Sequence, residues 1–129
     1  KGICQDVLFL DDYAHHPTEI QTTLQGIRQA IESKRLIAVF QPHRYSRTQD
    51  CIGQYGSIFD NADELVVTDI YGAGETPIPH LSHELILNEI QQCSAVSCRY
   101  VARSALSHYL SQSVQPGDVV VTLGAGDIT

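Results

Sequence analysis

The segment VLFLDDYAHHPTEIQTTLQGIRQAIESKRLIAVF, from Val7 to Phe40, carries the pattern that decides the fold. It opens with four consecutive apolar residues, which suits a strand buried on both faces. Pro17 then stands where a first helical turn tolerates proline, and four aliphatic residues recur at helical spacing: Ile20, Leu24, Ile27 and Ile31. Leu36 to Phe40 is a second apolar run. A strand, an amphipathic helix and a strand in this order predict a parallel pair joined by a right-handed crossover.

The rest of the chain repeats this alternation. Further strands are predicted at Leu65 to Thr68, Arg99 to Val101 and Val119 to Leu123. Further helices are predicted from three apolar sets: Ile52, Tyr55 and Phe59; Leu85, Ile86 and Ile90 within Ser82 to Gln92; and Leu106, Tyr109, Leu110 and Val114. We therefore predict an α/β, Rossmann-like three-layer domain, with a mainly parallel sheet of about six strands and helices on both faces.

Length and composition narrow the class of protein. With 129 residues the chain fits one domain, residues 1–129, and because it begins at Lys1 and contains no methionine we expect it to be a piece of a longer protein. The net charge of -7 opposes binding to nucleic acid. No apolar run approaches the ~20 residues of a membrane span, and the four cysteines show no CxxC spacing. We expect a cytoplasmic protein with reduced thiols and no membrane partner.

Polar side chains are concentrated after the first predicted strand, in DDYAHHPTE. Helix capping explains one aspartate or histidine there, but it does not explain five side chains: Asp11, Asp12, Tyr13, His15 and His16. In open α/β sheets, ligands bind beyond the carboxyl ends of the strands. This segment is therefore a predicted functional site.

The segment after the second strand, QPHRYSRT, carries two arginines. Arg44 and Arg47 are three residues apart, so in a first helical turn they would share one face. A guanidinium matches a carboxylate or a phosphate with a planar fork of donors. An anionic ligand is predicted, and a pair of surface salt bridges is the alternative.

Together, DDYAHHPTEI and FQPHRYSRT resemble the paired signatures of the muramate–alanine branch of the Mur ligase family. DIYGAGETPI, from Asp69 to Ile78, and LGAGDI, from Leu123 to Ile128, resemble two further blocks in the same order. The resemblance spans essentially the whole chain. It implies an enzyme of peptidoglycan synthesis with a UDP-sugar domain, a central ATPase and this amino-acid-binding domain. The enzyme would form an acyl phosphate and join L-alanine to UDP-N-acetylmuramate.

The same resemblance implies roles for individual residues. Asp12 resembles the aspartate that holds the ATP ribose, whereas the residues around the incoming alanine would be Tyr13, His15, Arg44 and Arg47. His15 or His16 is a candidate catalytic base for the alanine amine, or only orients the substrate. Glu75, in the loop from Gly72 to Pro79, is a further substrate-binding candidate, unless that loop is simply a long connection.

Several alternatives remain open. The chain has no GxxxxGK[ST] loop, so ATP with Mg would be bound mainly by the absent central domain, and this chain alone would be inactive. A ligase that recycles murein peptides is one alternative function, and a non-catalytic nucleotide- or metabolite-binding module is another. His80, His83 and Glu84 lack the HExxH order, so no metal site is predicted. Gly124 to Thr129 lacks the last glycine of a dinucleotide fingerprint.

Overall fold

The computed structural model describes residues 2–4, 7–12, 16–42, 44–70, 74–76, 78 and 81–124. Within these ranges six strands form one sheet in the order β1-β2-β6-β3-β4-β5. Their bounds are β1 Gly2–Cys4, β2 Val7–Asp12, β3 Leu36–Phe40, β4 Glu64–Val67, β5 Ser97–Tyr100 and β6 Val119–Leu123. Every neighbouring pair is parallel except β1 and β2, which are antiparallel. The mainly parallel sheet is confirmed, and β1 is an edge strand that the sequence pattern did not predict.

The helices cover both faces of this sheet. They are α1 Pro17–Ile31, α2 Tyr45–Cys51, α3 His83–Cys93 and α4 Leu106–Ser113, with a 3-10 turn at Arg103–Ala105 before α4. Side chains of α1, α2 and α3 share one apolar cluster with alternate residues of the strands. Leu106 of α4 belongs to a second cluster on the opposite face. The predicted three-layer architecture is thereby confirmed. No helix in the described ranges combines the length and apolar character needed to cross a membrane.

The start of α1 shows how the local sequence sets an element boundary. His16 has extended backbone angles, and its Nδ1 accepts a hydrogen bond from the Thr18 backbone N–H at 3.2 Å. The Glu19 carboxylate accepts in turn from the His16 N–H at 3.3 Å, which completes a capping box. Pro17 occupies a first-turn position whose N–H has no helical partner. The predicted helix from Pro17 to Ile31 is confirmed.

The helix predicted from Ile52, Tyr55 and Phe59 is wrong. α2 ends at Cys51, and the following residues form turns in which Tyr55 and Phe59 are still buried. The reason is a carboxylate from α3. Glu89 accepts from the backbone N–H groups of Gly53 at 2.9 Å, Tyr55 at 2.7 Å and Gly56 at 3.1 Å. Because a side chain distant in sequence satisfies these donors, the segment buries its aromatic rings without helical hydrogen bonds.

Charged residues at the amino ends of the parallel strands are paired with one another. Arg28 Nη2 lies 2.7 Å from Asp63 Oδ2, which also accepts from the Leu36 N–H at 2.8 Å. Arg35 Nη2 lies 2.7 Å from Asp118 Oδ2, just before β6. These pairs connect the ends of helices and loops to the sheet, so the charged residues at the amino ends of the strands have a structural role.

The carboxyl ends of β2, β6 and β3 lie level with one another. Leu123 is opposite Asp12 on one side and Phe40 on the other. Gly124 then donates its N–H to the Asp12 carbonyl at 3.1 Å. A Cβ on Gly124 would lie 2.3 Å from the Gln41 carbonyl oxygen, so only glycine fits here. This close approach brings together the ends of two strands that carry predicted site residues.

Candidate functional site

The predicted site residues within the described ranges gather at the carboxyl edge of the sheet. Asp12 ends β2, whereas Arg44 and Arg47 lie at the start of α2, directly after β3. Glu75 follows β4 and reaches back to α2. Tyr13 and His15 lie outside the described residues, so their predicted roles remain predictions.

The two adjacent aspartates have different environments. β2 extends to Asp12, so both lie within the strand, and neighbouring side chains of a strand point to opposite faces. Asp11 accepts from the Thr122 hydroxyl at 2.6 Å. Asp12 is half-buried on the α1 side, where its Oδ2 lies 3.5 Å from Thr23 Oγ1. The pleat of the strand therefore places the two carboxylates on opposite faces of the sheet, although they are adjacent in the sequence.

His16 has a structural role at the start of α1. Its ring is exposed, and Nδ1 serves as the acceptor of the helix cap. A neutral imidazole has one donor and one acceptor nitrogen, so this tautomer has its proton on Nε2. Capping accounts for Nδ1 of His16, and the predicted role of His16 as a base or an orienting residue stays a prediction.

Arg44 has an unusual backbone conformation. It precedes α2 as the N-cap residue, with φ 69° and ψ 139°. Residues other than glycine rarely adopt such angles, and the strain costs about 1–3 kcal/mol. The spacing suggested that Arg44 and Arg47 share a helical first turn, but Arg44 lies just before the helix. Arg44 is exposed and Arg47 is half-buried within the helix.

Glu75 contacts the first turn of α2. Its Oε1 accepts from the Ser46 N–H at 3.1 Å, and its Oε2 accepts from the Ser46 hydroxyl at 2.7 Å. The hydrogen bonds from the Ser46 hydroxyl and N–H, together with the positive charge of Arg44, lower the pKa of Glu75. Two predicted site residues that are 31 positions apart thus belong to one electrostatic cluster.

Sequence reasoning missed Ser46 and Thr48 in this cluster. The Thr48 N–H and hydroxyl both donate to the Arg44 carbonyl, at 3.1 Å and 2.7 Å. Hydroxyl residues are common where helices begin, so SRT after a strand was an available signal for this arrangement. The partner of Ser46 could not be found this way, because Glu75 lies 29 residues further along the chain.

A second polar cluster lies at the ends of β4 and β5. Asp69 accepts from the Tyr100 hydroxyl at 2.5 Å and from the Arg103 N–H at 3.0 Å. The His83 ring stacks on Tyr100 with centroids 3.6 Å apart. His80 lies outside the described residues. Among those that are described, no three His, Cys, Asp or Glu side chains converge as metal ligands.

Comparisons with known proteins agree with this fold and these motifs. The family described as Mur ligase, glutamate ligase domain, matches residues 1–126. The chain is 66% identical over 129 residues to the UDP-N-acetylmuramate–L-alanine ligase of Protochlamydia amoebophila, covering 100% of this chain and 28% of that protein.

Two solved structures share the fold. The UDP-N-acetylmuramate–alanine ligase of Thermotoga maritima is 29% identical with a TM-score of 0.74, over 96% of this chain and 24% of that one. A murein peptide ligase from Psychrobacter arcticus is 26% identical with a TM-score of 0.70, over 96% of this chain and 25% of that one. The chain thus spans roughly a quarter of the length of these relatives. With a match from residue 1 to 126 on the same fold, the chain belongs to the Mur ligase family and corresponds to its glutamate ligase domain.

Proposed function

We propose that this chain is the amino-acid-binding domain of a cytoplasmic, ATP-dependent ligase that joins L-alanine to UDP-N-acetylmuramate in peptidoglycan synthesis. The observation that carries the proposal is the clustering of Arg44, Arg47 and Glu75 beside the Asp12 strand end, on one edge of the sheet. The 66% identity to a ligase with this activity supports alanine as the amino acid.

The proposed reaction forms an amide bond. Phosphoryl transfer from ATP activates the muramyl carboxylate as an acyl phosphate, and ADP is released. The alanine amine attacks the carbonyl carbon, a C–N bond forms, the C–O bond to phosphate breaks, and inorganic phosphate leaves. ATP with Mg would be held mainly by a central domain that this chain does not contain. This chain would supply Asp12, whose half-buried carboxylate can accept hydrogen bonds from ribose hydroxyls.

Arg44 and Arg47 would hold the alanine carboxylate. A bidentate guanidinium–carboxylate contact fixes orientation as well as charge, and it leaves the α-amino group pointing away from the arginines. Tyr13 and Glu75 complete the proposed surroundings of the amino acid. Such a site selects a free amino acid by its carboxylate.

The amine must lose a proton before it attacks, because an α-amino group with a pKa of about 7.7–8.0 is largely protonated at neutral pH. A histidine near the amine suits this transfer. Since the helix cap engages Nδ1 of His16, we assign the proton-accepting role to His15 and orientation of this segment to His16.

A second candidate is a ligase that attaches a preformed murein peptide to the sugar. The structural likeness to a murein peptide ligase favours it. The full-length enzyme distinguishes the two by its acceptor: amide formation with a tripeptide and none with alanine would select the recycling reaction. A non-catalytic nucleotide- or metabolite-binding module would instead bind ATP or alanine tightly in this chain alone and form no amide in the full-length protein.

The test is steady-state kinetics of the full-length enzyme with Arg44→Ala and Arg47→Ala. We expect the KM for alanine to rise about 10- to 100-fold, because each variant loses a hydrogen bond to a charged group. The KM for ATP should change little. Lysine at either position restores charge without the planar fork, so it should not restore KM.

Arg99→Ala is the matched control, because Arg99 pairs with Glu64 at 3.3 Å near the amino end of β4. Its loss should leave the alanine KM unchanged. An equal rise in both Michaelis constants after Arg44→Ala would remove the carboxylate-binding role.

A further inference from the structure

The strained backbone of Arg44 is held from both sides. On its own helix, the Arg44 carbonyl accepts from the Thr48 N–H and hydroxyl at 3.1 Å and 2.7 Å. From the loop after β4, Glu75 accepts from the Ser46 N–H and hydroxyl at 3.1 Å and 2.7 Å. A strained conformation persists only where its surroundings fix it. Two of these hydrogen bonds end on the Arg44 carbonyl, and the other two fix Ser46, two residues further along the chain.

Both carboxylate oxygens of Glu75 are engaged with Ser46. This geometry differs from that of a residue whose carboxylate is directed at a substrate. The hydrogen bonds from the Ser46 hydroxyl and N–H lower the pKa of Glu75 and so favour its ionised form, which can only accept.

We propose that Glu75 is a positioning residue, which acts through Ser46 to hold Arg44 in its strained conformation and so directs the Arg44 guanidinium at the carboxylate of the incoming amino acid. We call this contact between Ser46 and Glu75 the Ser46–Glu75 latch. Its effect on catalysis rests on the proposed function. It goes beyond that function because it assigns Ser46 a role and moves Glu75 from direct substrate contact to orientation of an arginine.

The first experiment measures KM and kcat in the full-length enzyme. Glu75→Gln replaces one acceptor oxygen with a donor that faces a Ser46 donor, and we expect the alanine KM to rise about tenfold. The values of kcat and of the ATP KM should change little, since the arginine is misdirected and not lost. Ser46→Ala should raise the alanine KM in the same sense, and the double variant should be no worse than Glu75→Gln alone.

Two further variants separate this role from general destabilisation. Ser46→Thr keeps the hydroxyl at an exposed position, so it should retain a wild-type alanine KM. Glu89→Gln is the matched control, because Glu89 also accepts backbone N–H groups and clamps the turn after α2. It should lower the melting temperature and leave the alanine KM unchanged.

A stability measurement tests the latch without relying on catalysis. Glycine adopts positive φ without penalty, so Arg44→Gly should melt at a higher temperature than Arg44→Ala. In a Glu75→Gln background the backbone can relax, and the difference between the two variants should shrink. Equal melting of Arg44→Gly and Arg44→Ala, or an undiminished difference without Glu75, would overturn the latch.

The outcomes distinguish the two proposals. An alanine KM that rises for Arg44→Ala but not for Glu75→Gln overturns the latch alone. An alanine KM that rises for neither overturns the carboxylate-binding role, and the melting comparison then decides whether the latch exists as a structural device. A rise for Glu89→Gln equal to that for Glu75→Gln would also overturn the positioning role.

Discussion

Replacing Gly124 with alanine tests the junction on which the site depends. The backbone at Gly124 has φ 124°, and an added Cβ would lie 2.3 Å from the Gln41 carbonyl oxygen and 3.3 Å from its carbon. A positive φ costs an alanine about 1–3 kcal/mol, and forcing an extra methyl against fixed backbone costs about 1–3 kcal/mol more. The lower entropy of the unfolded alanine variant offsets about 0.4–1 kcal/mol. We expect a net loss of about 1–5.6 kcal/mol, with a central value of about 3 kcal/mol.

The assay is thermal and denaturant unfolding of the chain. For a domain of this size the expected loss lowers the melting temperature by about 10 °C. Gly117→Ala is the matched control, because Gly117 has φ 94° and open space around its Cβ position. It should show only the strain from φ less the same entropy offset, a net loss of about 0–2.6 kcal/mol. Gly26→Ala, inside α1 with nothing within 4 Å, should stabilise by about 0.5–1 kcal/mol.

The comparison of Gly124→Ala with Gly117→Ala isolates the steric part. If the two variants lose the same stability, no close approach between Gly124 and Gln41 exists, and the argument that this junction aligns the ends of β2 and β3 is refuted.

Three further predictions concern single carboxylates and a tyrosine. Burial raises the pKa of Asp118, but the hydrogen bond from Arg35 outweighs it and the pKa of Asp118 is lowered. This pair therefore stabilises the fold fully at pH values above about 3.9, the ordinary pKa of an aspartate, and the stabilisation is lost as the pH falls through the lowered pKa. Urea titrations should show that the free energy of unfolding declines less steeply with acid in Asp118→Asn. The hydrogen bond to Asp69 raises the pKa of Tyr100 to about 12, so the free energy of unfolding should fall as the pH rises above about 10, and fall less in Tyr100→Phe. Asp12→Asn in the full-length enzyme should raise the ATP KM with little change in melting temperature, whereas a large thermal loss with unchanged ATP KM would assign Asp12 to structure.

Strong local periodicity predicted most elements to within a residue or two. α1 begins at Pro17 and ends at Ile31, and β3 and β6 have the predicted bounds. These elements combine a repeated apolar pattern with a clear start or stop signal, and both properties are local. The elements that were predicted wrongly or missed lack such local signals. The segment after α2 forms turns and not the predicted helix, because Glu89 from α3 accepts its backbone N–H groups. The missed strand β1 has only three residues at the edge of the sheet, and its pairing with β2 has no periodic signature.

The motifs of the sequence determined which residues are candidates for the site, because strand ends, polar clusters and family blocks are all readable along the chain. Only the tertiary structure decided which contacts each of these residues makes. The pleat separates Asp11 from Asp12, a helix cap occupies Nδ1 of His16, and Glu75 bonds to Ser46. Contacts across 29 or 111 positions depend on how the parallel strands are ordered and aligned in the sheet. Local pattern does not encode that order, since it arises from the packing of helices on both faces at once.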